Sequence, residues 1–577
     1  MKFDVWAPHA RQVDLVIGDD RHPMAQSPTR SGWCEVEISG AGPGTRYGFS
    51  LDGGPVRPDP RSPSQLDGID GLSEVVDHAA FAWTDGRWRG VPWAGAVVYE
   101  LHVGTFTEVG TFDGVIEKLP HLLDLGVDLI ELLPVNEFPG MRGWGYDGVD
   151  LFAPHHAYGG PDGLKRLVDA CHEVGVGVIM DVVYNHLGPA GNYLGEFGPY
   201  FTDKYATPWG PAVNLDDRGS DEARRFFLDN ARLWLCDYHC DGLRIDAVHA
   251  LVDTSAMHLL EEMALEVEAL QASSGRTLYL IAESDLNDPR VVARREVGGY
   301  GLDAQWSDDF HHALHTVLSG ERSGYYADFG SLEQLATALR RAFVYAGDNA
   351  PDRGRRHGRV PSGIPSWRFL GYLQDHDQIG NRAQGERSTH LMSTARLKIG
   401  AALVLCSPFV PMLFMGEEWG ASTKFQYFTD HPDPDLGRAV SEGRRREFAS
   451  FGWAPEDVPD PQDFATFERS RLDWAELARN PHADVLDWHR RLLEIRRRFP
   501  ELRDGRFEGV DVEVDEEAGH LRLCRGRLTL FVNLGDQPWV TRTIGTILLA
   551  SPGDLSDEEG IVTIPNEGVI LLHSFLV

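Results

Sequence analysis

From about residue 91 the chain alternates short aliphatic runs with stretches whose apolar residues recur at helical spacing, and this alternation constrains the architecture more than any other feature. Val97 to Val103, Leu129 to Val135, Val176 to Tyr184, Asp241 to His249, Thr277 to Ala282, Leu302 to Trp306, Phe369 to Leu373 and Phe409 to Met415 read as eight strands. Between them, Val115, Ile116, Leu119, Leu122, Leu123 and Leu125 form one helical stripe, Leu164 to Val174 another, and Phe226, Phe227, Ala231, Trp234, Leu235 and Tyr238 a third. Repeated strand and helix units predict an α/β fold, a (β/α)8 barrel whose parallel strands all end at one mouth. The alternative is a doubly wound open sheet, against which stands the lack of a Gly-rich phosphate turn after the first strand. Gly188 to Ser220 is too long and too rich in Gly, Pro and aromatics for a simple connection, and is expected to be a functional excursion over the third strand.

The flanks have another texture. Gln12 to Ile17 and Cys34 to Ile38 alternate with period two between Gly, Pro and Asp turns, which predicts an immunoglobulin-like β-sandwich over residues 1–90. The barrel is expected over 91–502, closed by a helix around Leu486 to Phe499 that stops at Pro500. Leu521 to Cys524, Leu528 to Val532 and Val569 to Leu572 then predict an antiparallel β domain over 503–577.

A formal charge of -34 in 577 residues argues against nucleic acid and anionic membranes as partners, and favours a neutral ligand. Arg444 to Arg446 and Arg496 to Arg498, each beside acidic residues, are expected to be solvated helix faces, and the acidic run Asp554 to Glu559 a solvated loop. Six cysteines in so long a chain form no disulfide framework; reduced thiols and a cytoplasmic location are expected, with Cys236 and Cys240 buried rather than ligating metal. Met1 to Trp6 has no apolar signal core. The uncharged stretch from Ile399 to Gly416 is broken by Pro408 and Pro411, so it predicts a buried helix followed by a strand rather than a membrane span.

Charge recurs at strand ends. Asp241 to His249 places Arg244 and Asp246 on one side of an otherwise apolar strand, either as a structural ion pair or as chemistry at the mouth. The third strand finishes Asp181-Val182-Val183-Tyr184-Asn185-His186, the fifth Ile281-Ala282-Glu283-Ser284 and the seventh Gln374-Asp375-His376-Asp377, which favours chemistry. Glycoside hydrolysis needs one carboxylate kept ionised, as Asp246 would be beside Arg244, and a second carboxyl kept protonated, which suits Glu283. Asp377 would stabilise the oxocarbenium-like charge, and His186 and His376 would bind sugar hydroxyls.

Those four stretches resemble, in order, the four sequence regions of the α-amylase family, glycoside hydrolase family 13. The resemblance implies Asp246 as nucleophile, Glu283 as acid/base and Asp377 as transition-state stabiliser, with His186, Arg244 and His376 on the substrate and Asp181 supporting Arg244. Tyr99 to Phe106 and Gly143 to Val149 are similar to the branching, isoamylase and trehalose-releasing group, which implies that Tyr146 stacks on the sugar at the cleaved bond. Phe3 to Pro8 and Gly44 to Phe49 resemble the sandwich preceding the barrel in branching and debranching enzymes, here expected to pack rather than bind sugar. Leu151 to Pro161, Trp306 to His312, Phe414 to Trp419 and Phe428 to His431 resemble the trehalose-releasing branch, whose members cut the α-1,4 bond next to the terminal trehalose of maltooligosyltrehalose. On that resemblance His249, Asp309 and Trp419 join the expected substrate contacts.

Gln374-Asp375 departs from the family's usual Asn before His-Asp, but the His-Asp pair is kept. Asn185 stands where many α-amylases hold calcium, without a clear cluster of further oxygen ligands; no metal and no cofactor are expected. Two rivals remain: a glycogen-branching transferase, and a non-catalytic carbohydrate-binding barrel, which would be expected to lack some of Asp246, Glu283 and Asp377.

Overall fold

The computed structural model describes residues 1–449, 453–553, 555, 557–558 and 560–574. Eight parallel strands close into a barrel: Val98–Leu101 (β1), Leu129–Leu132 (β2), Gly177–Val182 (β3), Gly242–Ile245 (β4), Tyr279–Ala282 (β5), Ala304–Trp306 (β6), Phe369–Gly371 (β7) and Val410–Phe414 (β8), with β8 pairing back onto β1. The fifth and sixth strands end where expected, at Ala282 and Trp306, but pairing on β3 stops at Val182 rather than Tyr184 and on β4 at Ile245 rather than His249. The charged side chains of the mouth come from paired residues one short of their strand ends, Glu100, Asp181 and Arg244, and from residues beyond the strands, Asp246, Glu283 and Asp377.

Strand parity decides what enters the barrel. Val98, Ile179, Tyr279, Ile281, Ala304, Trp306, Leu370, Val410 and Met412 form one buried apolar cluster. Two residues further along the same faces come Glu100 on β1 and Asp181 on β3, and Glu283 lies just past the end of β5. The register sets Asp181 opposite Arg244 and Glu131 opposite Glu100. Period two therefore delivers a carboxylate-rich layer to one end of an apolar interior.

The helical stripe at 115–125 is two helices, Phe112–Ile116 and Leu119–Leu125, because Pro120 occupies the first turn of the second and cannot donate to the first. The excursion after β3 holds a short helix, Leu194–Phe197, and an antiparallel hairpin, Phe201–Thr207 with Gly210–Val213. Before the barrel lie a three-stranded and a five-stranded antiparallel sheet, whose inner faces meet where Phe3 packs edge-on against Tyr47 with ring centres 4.9 Å apart. After it lie a five-stranded sheet led by Val510–Asp515 and a three-stranded one.

Ile399 to Gly416 folds as the end of helix Thr394–Cys406 followed by β8, and among the described residues no helix is long and apolar enough to cross a membrane. All six cysteines are free thiols, and His239 Nδ1 meets Asp85 at 2.8 Å. The arginine runs are not uniformly solvated. Arg496 is buried and donates to the carbonyls of Leu405 and Phe409, capping the chain that leads into β8, and Arg444 is turned into the barrel mouth; Arg446, Arg497 and Arg498 do face solvent. Within the acidic run, Asp557–Glu558 is a short strand paired to Ile561–Ile564 rather than loop, while Asp554 and Glu559 lie outside the described residues.

Candidate active site

The mouth opens into a cavity of about 910 Å³. Arg244 is its electrostatic centre. One guanidinium nitrogen, NH1, donates to both oxygens of Asp181 at 3.0 Å and to Asp246 Oδ1 at 2.8 Å, while NH2 stands 3.9 Å from Glu283 Oε2. Trp306 lies against the guanidinium, its ring centre 4.4 Å away. Burial alone would lower the Arg244 pKa, but Asp181, Tyr146, Asp246 and Glu283 outweigh it, and the group is held well above its ordinary value. It is a permanent cation.

Glu283 is in the opposite situation. Burial, together with the negative charges of Asp246, Asp308 and Asp377, pushes its pKa well above the carboxylate range despite Arg244. Its Oε2 accepts the Ala247 amide at 2.6 Å. Ala247 has φ +40, a left-handed conformation unfavourable for a residue with a Cβ, at the turn that carries β4 from Asp246 into the cavity wall. One site thus holds, side by side, a carboxylate paired to a guanidinium and a carboxyl whose pKa is raised.

The remaining lining is rich in aromatic and imidazole rings. Tyr146 donates to Asp181 at 2.5 Å and stacks on His376 with centroids 5.1 Å apart. Glu100 accepts the His376 amide at 3.1 Å and meets Nδ1 at 2.5 Å, fixing the ring. Burial lowers the His376 pKa to about 4, so the imidazole is neutral near pH 7. His186, its pKa also lowered by burial, stacks on Trp209 at 4.8 Å from the hairpin of the excursion. Asp375 caps the short helix His376–Gly380 by accepting the Asp377 amide, and so aims Asp377 at the cavity.

Tyr146, His186, Arg244, Asp246, His249, Glu283, His376 and Asp377 thus line one cavity. Asp309 and Trp419 do not, which corrects two expected substrate contacts. Asp309 is buried and accepts from the Asn287 side chain and the amides of Val344 and Tyr345, pinning two loops. Its neighbour Asp308, one helical step of about 100° round, faces the cavity instead and accepts from Tyr372 at 2.5 Å. Trp419 has no exposed surface and donates to Glu476 at 3.2 Å, packed against Trp474. A Trp after two glutamates is as much a core plug as a sugar platform, and position along a motif does not separate the two.

Asp308, Trp209, Asn381, Arg444 and Glu447 also line the cavity and were not expected to. Trp209 had a signal in the aromatic excursion; Arg444 was hidden in an arginine run. Among the described residues, Glu137, His155 and His156 are the one group of three whose ligand atoms lie close enough to share a metal ion. The two imidazoles are stacked at 4.7 Å and 19°, so their in-plane lone pairs do not converge, and His155 Nδ1 already accepts the Ala157 amide. Glu137 accepts the His156 amide at 3.0 Å and meets the His156 Nδ1 at 2.7 Å, while His155 Nε2 stands 3.7 Å away.

The family model for the α-amylase catalytic domain matches residues 80–205. The chain is 49% identical to the malto-oligosyltrehalose trehalohydrolase of Rhizobium sp. (strain M-11), over 97% of this chain and 95% of that protein. It is also 49% identical to the enzyme of the same name from Mycobacterium tuberculosis (strain H37Rv), over 96% and 97%. A 1,4-alpha-glucan branching enzyme from Pseudoalteromonas atlantica is 28% identical over 74% of this chain and 61% of that protein. Among solved structures, a putative α-amylase from Salmonella typhimurium superposes with a TM-score of 0.91 at 38% identity, covering 99% of this chain and 97% of that one. By its full-length likeness to the two trehalohydrolases, the chain belongs to the malto-oligosyltrehalose trehalohydrolase family within the α-amylase group of glycoside hydrolases.

Proposed function

We propose that the chain hydrolyses the α-1,4-glucosidic bond next to the terminal trehalose of malto-oligosyltrehalose, with retention, through Asp246, Glu283 and Asp377. The observation that carries this reading is the single Arg244 guanidinium shared by Asp181, Asp246 and Glu283. Asp246, paired to it, is the nucleophile: its oxygen attacks the anomeric carbon while Glu283 gives its proton to the glycosidic oxygen, and trehalose leaves. Glu283, now ionised, takes a proton from water, whose oxygen displaces Asp246 from the same carbon. Two inversions restore the starting configuration. Tyr146 supplies an apolar face for the ring at the cleaved bond, and neutral His186 and His376 bind its hydroxyls.

Reduced thiols and the lack of any described membrane-crossing helix suit a cytoplasmic enzyme acting on a neutral oligosaccharide. The test is incubation with maltopentaosyl trehalose and, separately, with a maltooligosaccharide of equal length. Trehalose released from the first, with little cleavage of the second, is the expected result. Equal cleavage of both, or an iodine-stain shift on amylose without trehalose release, would overturn it in favour of a general amylase or a branching transferase.

A further inference from the structure

The helix Pro434–Ala449 lays Val440, Gly443, Arg444 and Glu447 along one wall of the cavity. This wall continues from Asp377, Gln378 and Asn381 beyond β7, whereas Glu283, which reaches the glycosidic oxygen, stands among residues following β4 to β6. Arg444 is largely buried, its guanidinium against the rings of Phe448 and Tyr427 at 4.6 and 5.1 Å. It donates to Asn381 Oδ1 at 3.0 Å, to Glu447 Oε2 at 3.3 Å and to the Gly380 carbonyl. Asn381 in turn donates from its amide nitrogen to Asp377 Oδ1 at 2.6 Å.

This relay fixes a direction. The Asn381 amide can turn over, presenting either NH2 or C=O to Asp377, and only the NH2 orientation is favourable beside a carboxylate. A guanidinium has donors only, so Arg444 forces the amide oxygen toward itself and the NH2 toward Asp377. One Asp377 oxygen is then occupied and its torsion held, leaving the other for the sugar. We infer that Arg444 is a positioning residue which, through Asn381, orients Asp377 for the glycone sugar at the cleaved bond. The inference rests on the proposed role of Asp377.

A double-mutant cycle tests it. Asn381→Ala and Arg444→Ala are each expected to lower kcat by at least about fivefold with KM changed by less than about threefold, and the double variant to be no worse than the poorer single one within about twofold. Losses that multiply, or an Arg444→Ala kcat within about fivefold of the parent, would overturn the inference, as would a change confined to KM, which marks direct sugar binding. Should Arg444→Ala fail to fold, Arg444→Lys keeps the stem against Tyr427 and Phe448 and the charge, but lacks the fork that serves Gly380, Asn381 and Glu447 together; the same limits apply to it. Asp377→Asn is the control: near-normal turnover there would remove the Asp377 role itself, whereas an inactive Asp377→Asn with multiplying Asn381 and Arg444 losses would remove only the relay.

Discussion

The two ends of β4 bear carboxylates five positions apart in sequence, Asp241 at the closed end of the barrel and Asp246 at the open one, and their surroundings differ in kind. Below, Asp241 Oδ1 accepts from Trp88 at 2.7 Å and Arg276 at 3.2 Å, while Oδ2 accepts the Val178 amide at 2.9 Å and meets His172 Nε2 at 2.9 Å. The other nitrogen of His172 meets Asp85 at 2.9 Å, and Trp88 stacks on the imidazole. Above, Asp246 has Arg244 on one side and open cavity on the other, and along the cavity acids outnumber the two arginines, Arg244 and Arg444. Both oxygens of Glu131, both amide atoms of Asn185 and Nδ1 of His186 are buried with no hydrogen-bond partner there. Both oxygens of Asp241 are thus partnered and tie the base of the barrel together, whereas Asp246 stands between one guanidinium and the cavity.

Cutting each end separately should give opposite phenotypes. Asp246→Ala and Glu283→Gln are expected to lower kcat/KM by at least about 1,000-fold with unchanged urea unfolding, because each removes a cavity-lining group that the proposed reaction uses to make or break a bond. Asp241→Ala should instead cost about 3–5 kcal/mol of stability in urea, by leaving Arg276 without its carboxylate and His172 with Asp85 alone, while folded molecules keep their turnover. A stable, inactive Asp241 variant would erase the distinction.

The closed end also has a pH signature. Burial opposes the charge on His172, but its bonds to Asp241 and Asp85 prevail and raise its pKa above the ordinary value of about 6.5. A raised folded pKa contributes stability that is full below the unfolded value and is lost as pH rises through the folded one. Thermal melts from pH 6 to 9 should therefore show the parent losing its advantage over His172→Gln with rising pH. At the open end the sign appears in turnover. The proposed reaction needs a proton on Glu283, whose pKa is raised by burial and by neighbours including Asp308; Asp308→Asn removes the repulsion that the ionised Asp308 would add. The alkaline limb of kcat should move to lower pH in that variant. Smallest of all, Trp419→Phe should leave KM within about twofold of the parent, since the ring meets Glu476 and Trp474 rather than sugar.

What could be read from the chain follows the same division. The eight strands and the carboxylates at their ends were legible because period two leaves a strong local trace, and Arg244, Asp246 and Glu283 fall where that trace meets charge. Asp309 in place of Asp308 was a matter of rotation about a helix axis, which neighbouring aspartates do not reveal. Arg444 and Trp419 depend on how elements far apart in sequence pack: one charged residue is drawn into the mouth by a helix after β8, and one aromatic is withdrawn into the core by Trp474 and Glu476. Local pattern carries no record of either.

The most direct test of the open end as a retaining site is to trap its intermediate. With Glu283→Gln and an activated glucosyl fluoride, whose leaving group needs no acid, the account predicts a covalent glycosyl ester that mass spectrometry of the digested protein maps to Asp246. An adduct on another carboxylate, or release of sugar of inverted configuration with no adduct, would contradict it.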